Sequence, residues 1–403
     1  MSDLLPVFRE LLAPFQPEII ALARKLIQTP SVNGADDEIA AAQVIHAWAQ
    51  DQHLQSHIVG IDARRPNVIV QVGEGEPGLL LTGHLDTVPA GDPSRWTYPP
   101  FEGVTAHGKL YGRGAIDTKG GMAAALIALA VLKQWGGLRG SARFIGVPDE
   151  ESGAIGTLGI KWLHTNGLLK GKGAIYCYGG REVIVGHRGV YRCKITCYGE
   201  SAHPGFSATQ EGVIGANAVT AMARLLLLLE DRKTDYSRTR YFEKYRTMIS
   251  AGTTIEGGTS PNIVPDRCTA TVDMRLIPET NAAEVRGWID QAIEQVSSHH
   301  PKLRFTVDVI AQLPAAVSPE HAALFTALEE STLEATGIEP PRTAAGPANE
   351  GYLLIERGIP TVCGFGAHGA NAHAPDEYVE IDSLLETALI YALTAVKLDE
   401  GVS

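Results

Sequence analysis

Cysteine is scarce: five in 403 residues, at Cys177, Cys193, Cys197, Cys268 and Cys363. They are too few and too scattered for a disulfide framework, which points to a reduced cytoplasm. They also do not form the clustered thiolate set of a structural zinc finger. Cys193 and Cys197 stand four apart in "RCKITCYG", a spacing that puts both on one face of a strand and reads as core. An excess of positive charge is missing too. Lys and Arg number 34 against 46 Asp and Glu, a formal net charge of −12. That balance argues against nucleic acid or an anionic membrane as the main partner. No run of the roughly 18 apolar residues needed to span a bilayer stands out. The opening "MSDLLPVFRELLAPF" lacks the basic start and unbroken apolar core of a signal peptide, so export is not expected. No internal repeat or low-complexity tract is visible.

The 403 residues are long for one core, so two domains are the default expectation. "PEIIALARKLIQTPSVNG" and "ADDEIAAAQVIHAWAQDQH" have helical periodicity, separated by a Pro/Ser/Asn/Gly turn. Four apolar runs predict buried strands: "GLLLTGHLDT", "ARFIGVPDEE", "GAIYCY" and "IPTVCGFG". Between the first two lies "GGMAAALIALAVLKQWGG", apolar nearly all round and therefore a buried helix. This alternation predicts an α/β layer with a mostly parallel sheet flanked by helices. From about His187 the texture changes to half-exposed strands and amphipathic helices, in the order strand, helix, two strands, helix, strand. That is a compact βαββαβ unit of α+β type, inserted into the first domain. The expected boundaries are 1–186 and 314–403 for a catalytic domain and 187–313 for the insert.

Potential metal ligands gather where these runs end. "GHLDTVP" carries His84 and Asp86 on one strand face. "GRGAIDTKGG" carries Asp117 in a glycine-rich turn before the buried helix, "PDEES" carries Glu150 and Glu151, and "GANAHAPDEY" carries His373. In open α/β sheets the crevice beyond the strands' carboxyl ends is the usual site. Mixed imidazole and carboxylate donors suit zinc, cobalt or manganese. Asp149, beside the glutamates, reads as a turn residue.

The ordered set "GHLDTVP", "GRGAIDTKGG", "PDEESG", "GHRG", "SAHP", "SPNIVPD", "DMRLIP" and "AHAPDEY" resembles the zinc aminoacylase and carboxypeptidase family. That family includes acetylornithine deacetylase, succinyl-diaminopimelate desuccinylase and glutamate carboxypeptidase. The resemblance covers nearly the whole chain. It implies two divalent metal ions, with His84 on one, His373 on the other and Asp117 bridging. It implies that Glu151 ligates the first metal, that Glu150 is the general base, and that Asp86 hydrogen-bonds the far nitrogen of His84. It implies a cis peptide at Asp117–Thr118. In the insert, which the resemblance makes a lid and dimerisation domain, His203 matches a histidine that reaches the neighbouring subunit's site. Asn262 and Arg275 match substrate-binding positions; Arg275 reads equally as a structural ion-pair residue.

Two departures stand out. Relatives carry a further acid ahead of the "GHRG" turn, where this chain reads "GAIYCYGGREVIVGHRG". An ungapped match puts Cys177 at the ligand position; Glu182 is the nearest acid, and neither is the third reading. The second metal site is therefore the uncertain one. "GPANEGYLL" places Asn349 and Glu350 where many relatives have Thr-Asp or Ser-Asp. The expected activity is hydrolysis of an N-acyl amino acid by a metal-bridging water, with a carboxypeptidase or dipeptidase as the alternative. A non-catalytic binding relative is the reading from another class, disfavoured because a binder has no need of Glu150. The expected partners are a small N-acyl amino acid or short peptide and a second copy of the chain.

Overall fold

The computed structural model describes residues 4–153, 155–298 and 300–401. The chain divides into two compact units. One takes its described residues from Met1–His187, Val317–Ala345 and Asn349–Ser403, the other from Arg188–Ala316 and Gly346–Ala348.

The first unit is built on a six-stranded sheet. Its strands are β1 (Gln55–Val59), β2 (Asn67–Gly73), β3 (Pro77–His84), β4 (Ser141–Val147), β5 (Gly173–Tyr176) and a short strand at Thr361–Val362. Their spatial order is β1-β2-β4-β3-β5 followed by the short strand. β3 runs parallel to β4 and β5, and the short strand parallel to β5. β1 and β2 form an antiparallel pair, and β2 joins β4 antiparallel. Every residue of β3 is buried, which explains its continuous apolar run: a strand covered on both faces does not alternate. The sequence did not signal β1 or β2. β1 is partly to fully exposed along its length and polar at Gln55, Ser56 and His57, so it carries little apolar pattern.

The expected buried helix is Gly120–Trp135, with Gly120 through Leu132 all buried. With the turn before it, Ala115–Trp135 is long and apolar enough to cross a bilayer, so the reading that no such run exists is corrected. Its most apolar stretch is 94% buried inside the fold, which identifies it as a core helix. Gly121 is what lets it lie on the end of β5, because a Cβ there would sit 1.9 Å from the Cys177 carbonyl oxygen. The C-terminal helix Ile381–Glu400 packs against Gly120–Trp135 and β3.

The second unit is a four-stranded antiparallel sheet of β6 (Gly189–Tyr198), β7 (Met248–Gly257), β8 (Arg267–Leu276) and β9 (Arg304–Leu313), in the order β7-β8-β6-β9. The helices Ala218–Glu230 and Ala282–Ser297 pack on it, capped by Asn217 and Asn281, whose side chains accept from backbone N–H groups in the first turn. The chain order is the expected βαββαβ. β8 alternates buried and partly exposed residues along its length, as a sheet with one covered face requires. Its core joins Cys193, Cys197 and Cys268 to Met222, Leu225, Leu229, Trp288 and Ile289. The leucine run of the first helix splits: Leu225, Leu226 and Leu229 are buried, whereas Leu227 is exposed.

Candidate metal centre

Three neighbouring parallel strands end side by side. β3 closes on His84, β4 on Val147 and β5 on Tyr176, and the register pairs His84 with Val147. The segment after β4 therefore delivers Glu150 and Glu151 beside His84. Among the described residues, two donor groups have their ligand atoms within 4.8 Å of one another: His84, Glu150 and Glu151, and Asp117, Glu151 and His373.

Asp117 joins the two histidines. Its Oδ1 lies 2.9 Å from Nε2 of His84 and its Oδ2 lies 3.2 Å from Nε2 of His373. Each carboxylate oxygen thus faces one imidazole, the arrangement a bridging carboxylate requires. Glu151 Oε1 is 3.0 Å from Nε2 of His373, so its direct contact is with the second histidine. Burial alone would lower the pKa of His84, but hydrogen bonds to Asp117 and Asp86 outweigh it and raise it well above the usual range. Hydrogen bonds to Asp117 and then Glu151 push His373 up to about 10. Burial would raise Asp117, yet its bonds to His373 and His84 hold it well below the ordinary carboxyl range. Glu150 goes the other way. Desolvation is the main cause of the rise, His84 opposes it, and repulsion from Glu151, Glu350 and Asp117 adds to it.

The groups behind the donors are as specific. Nδ1 of His84 donates to the Asp86 backbone carbonyl at 2.9 Å, and the Asp86 carboxylate is farther, at 3.5 Å. That carboxylate accepts instead from the backbone N–H of Glu150 (3.2 Å), that of Glu151 (3.0 Å) and the Asn33 amide (2.6 Å). Asp86 therefore both neighbours the histidine and fixes the Glu150–Glu151 turn. Asp149 is a turn residue with φ of 70°. Arg65 ties it down, bridging Asp149 at 3.1 Å and the fully buried Glu38 at 2.5 Å.

The Asp117–Thr118 peptide is cis. Its loop starts at Gly114, whose φ of 86° is left-handed, a conformation that favours glycine. The buried Glu377 holds this loop, accepting from the N–H groups of Gly114, Ile116 and Asp117 and from Arg113 Nη1 at 2.6 Å. Sequence reasoning passed over Glu377, Arg113, Arg65 and Asn33. A buried acid four residues after His373 was the available signal, and only tertiary contacts give it meaning.

Cys177 joins neither donor group. It is fully buried, its Sγ lies 3.8 Å from the Ile175 carbonyl, and it interacts with Tyr391 of the C-terminal helix. Desolvation pushes its thiol up to about 12. This corrects the expectation of a thiolate ligand: the side chain points into the core. Glu182 is exposed before a separate strand, Val183–His187. His203, Asn262 and Arg275 lie in the second unit. His203 is exposed, with its Nδ1 accepting from the Gly205 N–H. Asn262 accepts from Ser260 at 2.5 Å, and Nε of Arg275 donates to Asp273 at 2.7 Å.

Two imidazoles and at least two carboxylates converging at strand ends suit borderline divalent cations. A positive charge there would also offset the repulsion that raises Glu150. The fold and this donor set define a metal-dependent hydrolase of α/β type carrying an inserted α+β unit. The sequence matches peptidase family M20/M25/M40 over residues 80–397, and the chain belongs to that family. It is 30% identical over 393 residues to a succinyl-diaminopimelate desuccinylase of Gluconacetobacter diazotrophicus, covering 94% of this chain and 97% of that protein. A probable succinyl-diaminopimelate desuccinylase of Staphylococcus aureus is 25% identical over 411 residues, covering 95% and 98%. In fold it is similar to an M20 family metallo-carboxypeptidase of Sulfolobus solfataricus (TM-score 0.75, 19% identity, 95% and 99% coverage). It is also similar to a di-peptidase of Saccharomyces cerevisiae (TM-score 0.77, 16% identity, full coverage of both). The chain is a hydrolase acting on amide bonds.

Proposed function

We propose that the enzyme removes a succinyl-type acyl group from the nitrogen of an amino acid, with zinc ions at the two donor groups. The observation that carries the reading is Glu150, a buried carboxyl whose ligand-capable oxygen lies within 4.8 Å of those of His84 and Glu151, beside the second donor group of Asp117, Glu151 and His373. A carboxylate so placed can take a proton from water and give it back to a leaving group. His84, Glu151 and Asp117 would hold one ion, and His373 with Asp117 the other, Glu151 lying within reach of both. Bound divalent ions supply Lewis acidity, acidifying water and stabilising the oxyanion of amide attack. Glu150 accepts the proton of the attacking water and delivers it to the departing amine nitrogen. Asp86 keeps Glu150 and Glu151 in register by accepting both backbone N–H groups. We assign Asn262 and Arg275 to substrate binding, with the guanidinium plane of Arg275 set by Asp273. His203 is assigned to the partner subunit's site in a homodimer, and the exposed Leu227 to apolar surface available for pairing. A cytoplasmic location accords with five buried free cysteines.

The test is metal content by elemental analysis, followed by a panel of acetyl-, succinyl- and dipeptidyl-amino acids. Two equivalents and fastest turnover of a succinyl substrate are expected. Faster turnover of dipeptides would replace the substrate, and no metal after incubation with excess zinc or cobalt would overturn the reading.

A further inference from the structure

Tyr178 is the side chain at the centre that neither the sequence motifs nor the donor groups use. Side chains alternate along an extended segment, so if Cys177 turns into the core, Tyr178 returns to the side of Tyr176. The structure has this arrangement. The rings of Tyr176 and Tyr178 stack with centroids 5.4 Å apart at 21°. The other neighbour of the Tyr178 ring is His84, at 5.8 Å and 47°. Tyr176 is itself fully buried and pinned, its hydroxyl donating to Glu350 at 2.8 Å. Held between these rings, Tyr178 directs its hydroxyl at Oε1 of Glu150, 3.1 Å away.

We infer that Tyr178 is a positioning residue for Glu150: its phenol O–H holds one carboxylate oxygen and leaves the other for the attacking water. This rests on the hydrolytic reading above. At the end of β5 the chain reads Tyr176-Cys177-Tyr178, with no acid before Glu182. A carboxylate here would add negative charge beside Glu150, Glu151 and Asp117. A phenol supplies a donor instead, and a charge-assisted O–H···O⁻ bond is among the stronger hydrogen bonds. The carboxylate is thereby restrained against rotation without becoming more crowded electrostatically. The Tyr176–Glu350 bond reaches the same end one stage back, since it fixes the ring on which Tyr178 rests.

The experiment compares Tyr178→Phe with the wild type, in both the native and the Glu150→Gln backgrounds. It measures kcat and KM on the best substrate of the panel, and metal content on the same preparations. Phenylalanine keeps the stacked ring and removes only the hydroxyl. In the native background kcat should fall about 10- to 100-fold, with KM and metal equivalents unchanged. In the Glu150→Gln background the second substitution should have no further effect. Loss of a metal equivalent would make Tyr178 a ligand and overturn the proposal, as would an equal fall in both backgrounds or an unaltered kcat. Should the wild type hydrolyse nothing in the panel, the hydrolytic reading fails by itself. The Tyr178–Glu150 bond is then read without activity, from the ring carbon beside the hydroxyl in carbon-13 tyrosine-labelled protein. Its resonance should move on Glu150→Gln, and an unmoved resonance would overturn the contact.

Discussion

The two histidines of the metal centre are built to opposite specifications. His84 is the last residue of a fully buried strand and is itself 0% exposed, backed by the carbonyl of Asp86. His373 sits on a loop at a φ of 62°, with its side chain 53% exposed. Both meet the same carboxylate, Asp117. One half of the centre is thus part of the core, where removing a group disturbs packing and charge together. The other half is supplied from the surface, where the same chemistry is nearly independent of folding.

The largest effect expected concerns Glu150, the proposed base on the buried side. Glu150→Gln should lower kcat by about 10²–10⁴-fold with metal content intact, checked by steady-state kinetics and elemental analysis. Next come the histidines themselves, compared by urea denaturation of metal-free protein. His84→Ala takes a fully buried imidazole from the buried Asp86 and the partly buried Asp117 and should cost about 3–5 kcal/mol. His373→Ala should cost under about 1 kcal/mol, as exposed ion pairs do, while each variant loses metal. Equal destabilisation would erase the distinction between the two halves. A subtler contrast lies in pH. In metal-free protein the hydrogen bonds to Asp117 and Glu151 push His373 up to about 10, above the ordinary imidazole range. A raised folded pKa means its charge stabilises fully below about 6.5 and that this stabilisation is lost as pH rises toward 10. The melting temperature of the metal-free wild type should therefore fall across that window more than that of metal-free His373→Ala. The smallest effect is Cys177→Ala, which should leave metal equivalents unchanged and cost about 1 kcal/mol or less of stability through the small volume removed.

The candidate donor groups were legible because His84, Asp117, Glu150, Glu151 and His373 each end an apolar run or adjoin a glycine-rich turn, and those local signals survive without tertiary context. The insert was legible for the same reason, its strands and helices having distinct periods. β1 was not, since a partly exposed edge carries no apolar alternation. Cys177 shows a different failure. Counting residues back from a motif located the strand end but not the face, and one residue along a strand reverses the side chain. Tyr178, which does face the donors, has no metal-ligand chemistry to announce it. Asp86 was read as a partner of His84 through its carboxylate, whereas the nearer contact is its backbone carbonyl, an atom every residue has and no motif encodes.

Glu377 carries a consequence for how the protein is made. It lies 260 residues beyond Asp117, whose N–H it accepts. At roughly 5–20 residues per second, the ribosome supplies it about 15–50 seconds after Asp117 has been added. Until then the loop holding Asp117 lacks its carboxylate acceptor for three N–H groups and its anion for Arg113. The sheet and its buried helix are synthesised first, and the centre is closed only when the tail of the chain arrives.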